Sequence, residues 1–531
     1  MGITALVLTA PLAAADPANH APYKPGFPTA GSPGGASCPT CVLVLPGEGT
    51  VAGNPLVADL GTLSGGTPGV KEIVFGTTLG KLHVLHRLAS NGSWVEAPGF
   101  PVTVGNNIAS SPAAGNLTDA APCNSGLEIV VGWGASNTFG PGGVKAYCNT
   151  GALLWQKDSV DTLSPGTGPD PVVSTPAIGD IDGDGGNDVA WGGFDFYVHA
   201  VHGNNGAYLT GWPHFIRDSI WSSPALYDVN GDGRLDVIIG VDAHLEGPPY
   251  NTPAGGCLHV LPYNSSGDPP SEVAGFKQCI DQTIFSAPSV GDIDGDGQPE
   301  IVHGTGTFYP NGTERIYAWH LNGTPVSGWP VTIQGESPTS PALANLDGDA
   351  ALEVIVTANN TRSSSTYHLY AFNGNGSAVP GFSGGKQVLD YFGVSFSADH
   401  PVVADVLGGT TAPEILVPTN GSAAVFDAAG NLLTEHNNGM NGLVHFYTET
   451  ALRGVAVADF ETDGQAIEVV GIDSQFGTND LAVRVWNPVA RSTPPLWGLF
   501  RHDEARRGVA LTPIFSDGFE SGNLNAWQGH T

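Results

Sequence analysis

Short apolar runs bounded by glycine or proline recur along the chain. They read KEIVFG (71–76), LEIVVG (127–132), NDVAWG (187–192), LDVIIG (235–240), PEIVHG (299–304), LEVIVT (352–357), PEILVP (413–418) and IEVVGI (467–472). Runs this short, rich in β-branched residues, predict buried strands. Each is followed by an alternating segment: KLHVLH, GVKAYC, YVHAVH, CLHVLP, RIYAWH, YHLYAF, SAAVFD and LAVRVW. Alternation gives such a strand one packed face. Each apolar run is also preceded by a strand-like segment that ends at Ala58-Asp59, Gly115-Asn116, Gly179-Asp180, Tyr227-Asp228, Gly291-Asp292, Ala344-Asn345, Ala404-Asp405 or Ala458-Asp459. Turn signals such as Asn91-Gly92, Asn322-Gly323 and Asn375-Gly376 close most units.

The unit therefore repeats eight times, at intervals from 48 residues (180 to 228) to 64 (228 to 292). Five copies open on a Ser/Thr/Ala-Pro pair: SSPAAGN, STPAIGD, SSPALYD, SAPSVGD and TSPALAN. Each copy carries about four short strands and almost no helical periodicity. One four-stranded sheet cannot bury both its faces, whereas sheets stacked radially can, and they expose only short edges. The expectation is an all-β chain forming a β-propeller of eight four-stranded blades over about residues 50–510, or seven if a divergent terminal copy lies outside the ring. An open solenoid would need polar caps that neither end supplies. Two segments compete to supply a closing outer strand, Gly26-Phe27-Pro28 in the lead-in (16–49) and PPLWGLFRHD (494–503).

The loop after the first strand of three copies is densely acidic. Asp180, Asp182, Asp184 and Asp188 form one set; Asp228, Asn230, Asp232 and Asp236 a second; Asp292, Asp294, Asp296 and Glu300 a third. All fit D-x-[DN]-x-D-G-x-x-[DE], with side-chain oxygens at positions 1, 3, 5 and 9. The carbonyl at position 7 (Gly186, Arg234 or Gln298) offers a further oxygen, and glycine at position 6 permits the sharp turn. Carboxylates packed this closely repel one another unless a cation sits among them. An all-oxygen, flexible donor set suits Ca²⁺ better than Mg²⁺ or a transition metal. A fourth loop has Asn345, Asp347, Asp349 and Glu353, with Ala350 at the glycine position, and a fifth has Asp459, Glu461 and Asp463, with its acid one place late at Glu468. The reading is three Ca²⁺ sites and up to five. The loops at 59, 116 and 405 lack the pattern. An EF-hand is excluded, because position 12 is Trp191, Ile239 or His303 instead of Glu and a strand follows directly.

On these motifs the chain resembles FG-GAP/VCBS-type repeats, the calcium-loop propeller repeats also seen in integrin α-chain heads. The resemblance implies ions that brace loops between the first two strands of a blade, and extracellular binding or adhesion more than catalysis. Some secreted pectin-backbone lyases are similar in using a calcium-bearing propeller. None of the active-site signatures needed to carry that activity over stands in this sequence.

Charge narrows the partners. With 18 Lys+Arg against 50 Asp+Glu, the net charge is −32. A surface this acidic repels nucleic acid and anionic lipid. Residues 1–15 read as a secretory signal peptide, with Ala13-Ala14-Ala15 as the small residues before cleavage, although no Lys or Arg precedes the apolar run. No later run is long enough to span a bilayer. Six cysteines fall in neighbouring pairs, Cys38/Cys41, Cys123/Cys148 and Cys257/Cys279, which in an exported chain predicts three local disulfides. Zinc at Cys38 and Cys41 would need two further ligands, and none is near. The tail, 511–531, contains FSDGFESGNLNAW. It resembles short sorting or anchoring tails of exported Gram-negative proteins.

His83, His86, His199, His202, His259, His320 and His368 all fall on the third strand of successive units. A group repeated in equivalent slots of several units serves the scaffold, whereas a single active site would break the repeat. Phe27, Phe100, Trp212 and Trp329 recur in Gly-aromatic-Pro slots and read as packing residues; Trp133, Trp191 and Trp221 lie outside those slots. No nucleophile elbow, H-E-x-x-H or nucleotide-binding glycine pattern stands in a supporting context, so no catalytic residue is assigned. The sequence thus points to a secreted or cell-surface calcium-stabilised propeller that binds an extracellular protein or glycan. The alternative is a secreted polysaccharide lyase or hydrolase on the same scaffold, with Arg217 and Arg453 as basic residues outside the repeat slots.

Overall fold

In a computed structural model of the chain, the described residues are 42–510 except 124–125, 136–139, 163–164, 167, 243–247, 249–250, 252–253, 307, 310–311, 360–365, 391–398, 408–411, 435–445, 447, 449–451, 453, 461–466, 475–477 and 490–507. They form eight small sheets and no helix. The protein is an eight-bladed β-propeller.

The innermost strands are Leu56–Ala58, Ala113–Gly115, Ala177–Gly179, Ala225–Tyr227, Ser289–Gly291, Ala342–Ala344, Val402–Ala404 and Val455–Ala458. Blades are numbered 1 to 8 in that order. Each inner strand pairs antiparallel with the apolar run that follows it, and that run pairs with the alternating segment. Blades 2, 3, 4, 5 and 6 add a fourth strand, and blade 7 shows three among the described residues. In blade 1, Trp94–Glu96 and Val102–Thr103 share the third strand, Lys81–Arg87.

Leu56–Ala58 lies against Val455–Ala458, which makes the first and eighth blades neighbours. Blade 8 is completed from the other end of the chain: Val42–Leu45 pairs antiparallel with Leu481–Val489, Leu45 opposite Leu481. Among the described residues the closing strand is therefore the VLVL run, which lies in the lead-in 16–49. Residues 26–28 and 494–503 lie outside the described residues. A second closure sits at the centre, where Val509–Ala510 runs parallel to Ser289–Gly291 of blade 5 and Gly508 accepts the Val290 N–H at 2.9 Å.

The core lies between blades. Val130, Val144 and Ala146 of blade 2 meet Ile178, Val189 and Trp191 of blade 3, all buried. The glycine ending the second strand makes this approach possible. A Cβ on Gly192 would stand 2.4 Å from Ile220 of the next blade, and one on Gly240 would stand 2.4 Å from Ile284. Trp212 and Trp329 of the Gly-aromatic-Pro slots are buried and donate their indole N–H to the next blade, to the Tyr263 carbonyl (2.9 Å) and the Gly374 carbonyl (2.7 Å).

Disulfides join Cys123 to Cys148 and Cys257 to Cys279, and an oxidising compartment sustains such bonds. Cys38 and Cys41 lie outside the described residues. Among the described residues no helix is long and apolar enough to cross a membrane.

Candidate metal centres and the mouth of the ring

The inner strands run in one direction, so all the first loops gather on one face. In blade 3, Asp180 folds back into its own loop and accepts the N–H of Gly183 (2.8 Å) and of Gly185 (3.0 Å). Asp182 accepts the N–H of Asp184, and Asp184 that of Gly186. The same turns recur in blade 4, where Asp228 serves Gly231 and Gly233, and in blade 5, where Asp292 serves Gly295 and Gly297. These glycines take positive φ, between +74° and +90° for Gly185, Gly231, Gly233, Gly295 and Gly297, a backbone state that side chains with a Cβ resist. In blade 6, Ala350 is not among the positive-φ residues, and Asn345 instead donates its amide to the Asp349 carbonyl.

These turns bring carboxylates together. Oxygens of Asp180, Asp182 and Asp188 lie within 4.8 Å of one another, as do those of Asp292, Asp294 and Asp296, and of Asp347, Asp349 and Glu353. Each group could hold a metal ion. In blade 4 the neutral Asn230 takes the third position and donates to Asp236 at 3.3 Å. Its neighbour Arg234 turns its side chain away, donating to the Asp182 carbonyl of blade 3 at 2.8 Å and covering the Tyr263 ring at 4.1 Å. Asp459 is described, but Glu461 and Asp463 lie outside the described residues.

The ninth-position acid has a role of its own. Asp188 accepts the backbone N–H of Ile181, Asp236 that of Val229, Glu300 that of Ile293 and Glu353 that of Leu346, at 2.5–3.0 Å. The other four blades, three of them without the acidic pattern, do the same: Glu72 with Leu60, Glu128 with Leu117, Glu414 with Val406 and Glu468 with Phe460, at 2.7–3.0 Å. All eight carboxylates are buried. Burial, with loop acids adding to it and the N–H bonds opposing it, pushes Glu300 up to about 8, Asp236 and Glu353 to about 7 and Asp188 to about 6. In blade 1 burial likewise lifts Glu72 to about 8.

Two histidines join the acidic clusters. The antiparallel register sets His202 opposite Asp188 and His320 opposite Glu300. His202 Nδ1 is 3.3 Å from Asp188, and His320 Nδ1 is 3.2 Å from Glu300. Other third-strand histidines are held by the scaffold. His83 pairs with Glu96 (2.9 Å) and His259 with Glu272 (2.7 Å), while His199 sits buried between Asp195 and Tyr208 and stacks on Trp191. Arg217 is paired with Asp268, and Arg453 lies outside the described residues.

The opposite end of the ring carries the Ser/Thr-Pro segments, and their hydroxyls knit the blades together. The first hydroxyl serves its own blade: Ser110 accepts the Gly132 N–H at 2.8 Å, and Ser174 that of Gly192 at 3.2 Å. The second accepts from the blade before: Ser111 from Asn54 (2.8 Å), Thr175 from Ser111 (3.0 Å) and Ser223 from Thr175 (2.9 Å). In blade 7 the pair is replaced by Asp399-His400-Pro401, and His400 Nδ1 accepts the Ser340 N–H at 3.0 Å. Inside this collar lies a cavity of about 130 Å³, roughly ten times the ~10–15 Å³ a single water needs, lined among others by Trp221, Phe285, Asp399 and His400.

Residues 180–239, which span the acidic loops of blades 3 and 4, match the family model described as an FG-GAP-like repeat. The protein thus carries an FG-GAP-like repeat within an eight-bladed propeller. No curated protein sequence matches the chain. Among solved structures, it is similar to the computationally designed protein Ika8 (12% identity, covering 83% of this chain and 96% of that one, TM-score 0.46). It is also similar to BamB from Moraxella catarrhalis (13%, 83% and 98%, TM-score 0.45). A third is the V. cholerae biofilm matrix protein Bap1 (13%, 85% and 91%, TM-score 0.34).

Proposed function

We propose that this protein is a secreted or cell-surface β-propeller, braced by Ca²⁺, that acts as a binding module for an extracellular protein or glycan. The observation that carries the reading is the gathering of Asp180, Asp182 and Asp188, and of Asp292, Asp294 and Asp296, into oxygen clusters at the same place in two blades. In this reading Asp180, Asp182, Asp184 and Asp188 hold one ion and Asp292, Asp294, Asp296 and Glu300 another. Asp228, Asn230, Asp232 and Asp236 hold a third, and Asn345, Asp347, Asp349 and Glu353 a fourth. The position-7 carbonyls of Gly186, Arg234 and Gln298 complete the three full loops. The ions neutralise the loops and stiffen one face; they do no chemistry.

Dispersed basic residues favour binding over uronate cleavage. Lys81 pairs with Glu48 at 2.7 Å, Lys145 reaches the Val104 carbonyl, Arg234 covers Tyr263 and Arg484 is buried against Asp473. These four residues lie on blades 1, 2, 4 and 8, each taken up by its own partner. The two disulfides support an exported chain. A glycan and protein binding screen run beside a reducing-end release assay tests the reading. Stable binding without release is expected, and release of new reducing ends would overturn it.

A further inference from the structure

We propose that the mouth of the ring, at the end opposite the acidic loops, binds a neutral pyranose stacked on Trp221 and hydrogen-bonded by Asp399 and His400. The inference deepens the binding-module reading and rests on it.

A site belonging to the whole ring must break the repeat, and two of the departures from it here put aromatic and titratable groups on the cavity wall. The residue three places before the proline of this segment is small in blades 1, 2 and 3: Ala52, Ala109 and Val173. In blades 4 and 5 it becomes Trp221 and Phe285. Trp221 is 41% exposed, whereas every other described tryptophan is buried. Phe194 at 4.8 Å and Phe285 at 5.8 Å hold its ring in tilted contacts, and the indole lines the cavity. It is a braced aromatic shelf. The second break is Asp399-His400, on blade 7, in the place where blades 2, 3, 4 and 6 have two hydroxyl residues.

The chemistry of these groups selects the ligand. His400 Nδ1 accepts the Ser340 N–H, so the imidazole is neutral and Nε2 carries the proton. That Nε2–H donor stands 3.5 Å from the acceptor Asp399 Oδ1. A donor beside an acceptor suits a hydroxyl, which is both, and the apolar face of a pyranose suits an indole shelf. A cation would use the carboxylate and the ring but make no use of the N–H donor. An anionic sugar would meet Asp399 with no Lys or Arg among the described residues lining the mouth, on a chain of net charge −32.

The test uses the full chain, with calcium present, on an array carrying neutral hexose oligosaccharides and uronate oligosaccharides, with tetramethylammonium titrated separately. The wild type is expected to bind neutral glycans. Trp221→Ala should weaken that binding at least about tenfold, Trp221→Phe should keep part of it, and Asp399→Asn should weaken it with the melting curve unchanged. If Trp221→Ala fails to fold, Trp221→Phe and Asp399→Asn carry the test. Neutral-glycan binding that survives all the variants overturns the site and leaves the binding-module reading standing. Binding confined to uronates or tetramethylammonium overturns the ligand class. No glycan bound at all overturns the inference, while the protein-binding screen decides the broader reading separately.

Discussion

Glu300 accepts the backbone N–H of Ile293 at 3.0 Å, across the acidic loop that the two residues bracket. The bond closes the loop from inside, with or without a metal. Because the same bond joins Glu128 to Leu117 in a blade with no acidic pattern, the ninth-position acid is a staple of the fold first. In the proposed reading it also joins the other loop acids in holding the ion, and blade 2, which lacks those acids, shows the staple alone. The two roles are separable by mutation.

Glu128→Ala should destabilise the protein by about 1–3 kcal/mol, because it strands the Leu117 N–H in a buried place. The loss should be equal with and without calcium, since blade 2 lacks the other acids. Urea unfolding of the variant under both conditions measures it. A calcium-dependent loss would mean that this acid does not act as a metal-free staple.

Excess chelator should lower the melting temperature by several degrees. A site saturated at 100 times its Kd contributes about 2.7 kcal/mol, and several sites act together. Replacing Asp182 and Asp184 by Ala should produce a smaller fall than full chelation, because only one loop is lost. Scanning calorimetry with and without chelator reads both effects.

Stability should fall as pH rises through the range set by Glu72. Its folded pKa, about 8, lies above the usual carboxylate value because of burial. The folded state therefore holds a proton that the unfolded chain has released, and the contribution present below about pH 4.5 is lost as pH rises through 8. Glu72→Gln keeps an oxygen for the Leu60 N–H and removes the titration. Its stability should decline less steeply from pH 5 to pH 8 than that of the wild type. Denaturant unfolding across that range checks the slope, and identical slopes would contradict the assignment.

Ser223→Ala should cost about 1–3 kcal/mol, because the Thr175 N–H loses its acceptor across the blade 3–blade 4 seam. Chemical denaturation measures the loss. Calcium should not repair it, since the hydroxyl collar and the acidic loops sit at opposite ends of the inner strands.

The parts of this architecture written in local spacing were legible from the chain alone. The acids at alternate positions from Asp292 to Asp296, and the Gly-bounded runs after them, identify loop and strand without knowledge of anything distant. What stayed hidden depends on pairing across the fold. His320 reaches Glu300 only because the second and third strands of blade 5 pair in one register; counting across the hairpin from Glu300 would have found it. Val42–Leu45 closes blade 8 because ring closure leaves the third strand of that blade, Leu481–Val489, with an open edge, a fact belonging to the ring and not to VLVL. Asp399-His400 stands in plain sight before Pro401, but its meaning appears only once the hydroxyl pairs of the other blades are seen to form a collar.

The claim beneath all of this is that alkaline-earth ions neutralise the crowded carboxylates. Elemental analysis of protein purified without chelator tests it most directly. Tightly held calcium is expected at about one ion for each of the three full loops, those beginning at Asp180, Asp228 and Asp292, with a fourth at the loop beginning at Asn345. Protein that is folded and carries no calcium above the level of its buffer would contradict it.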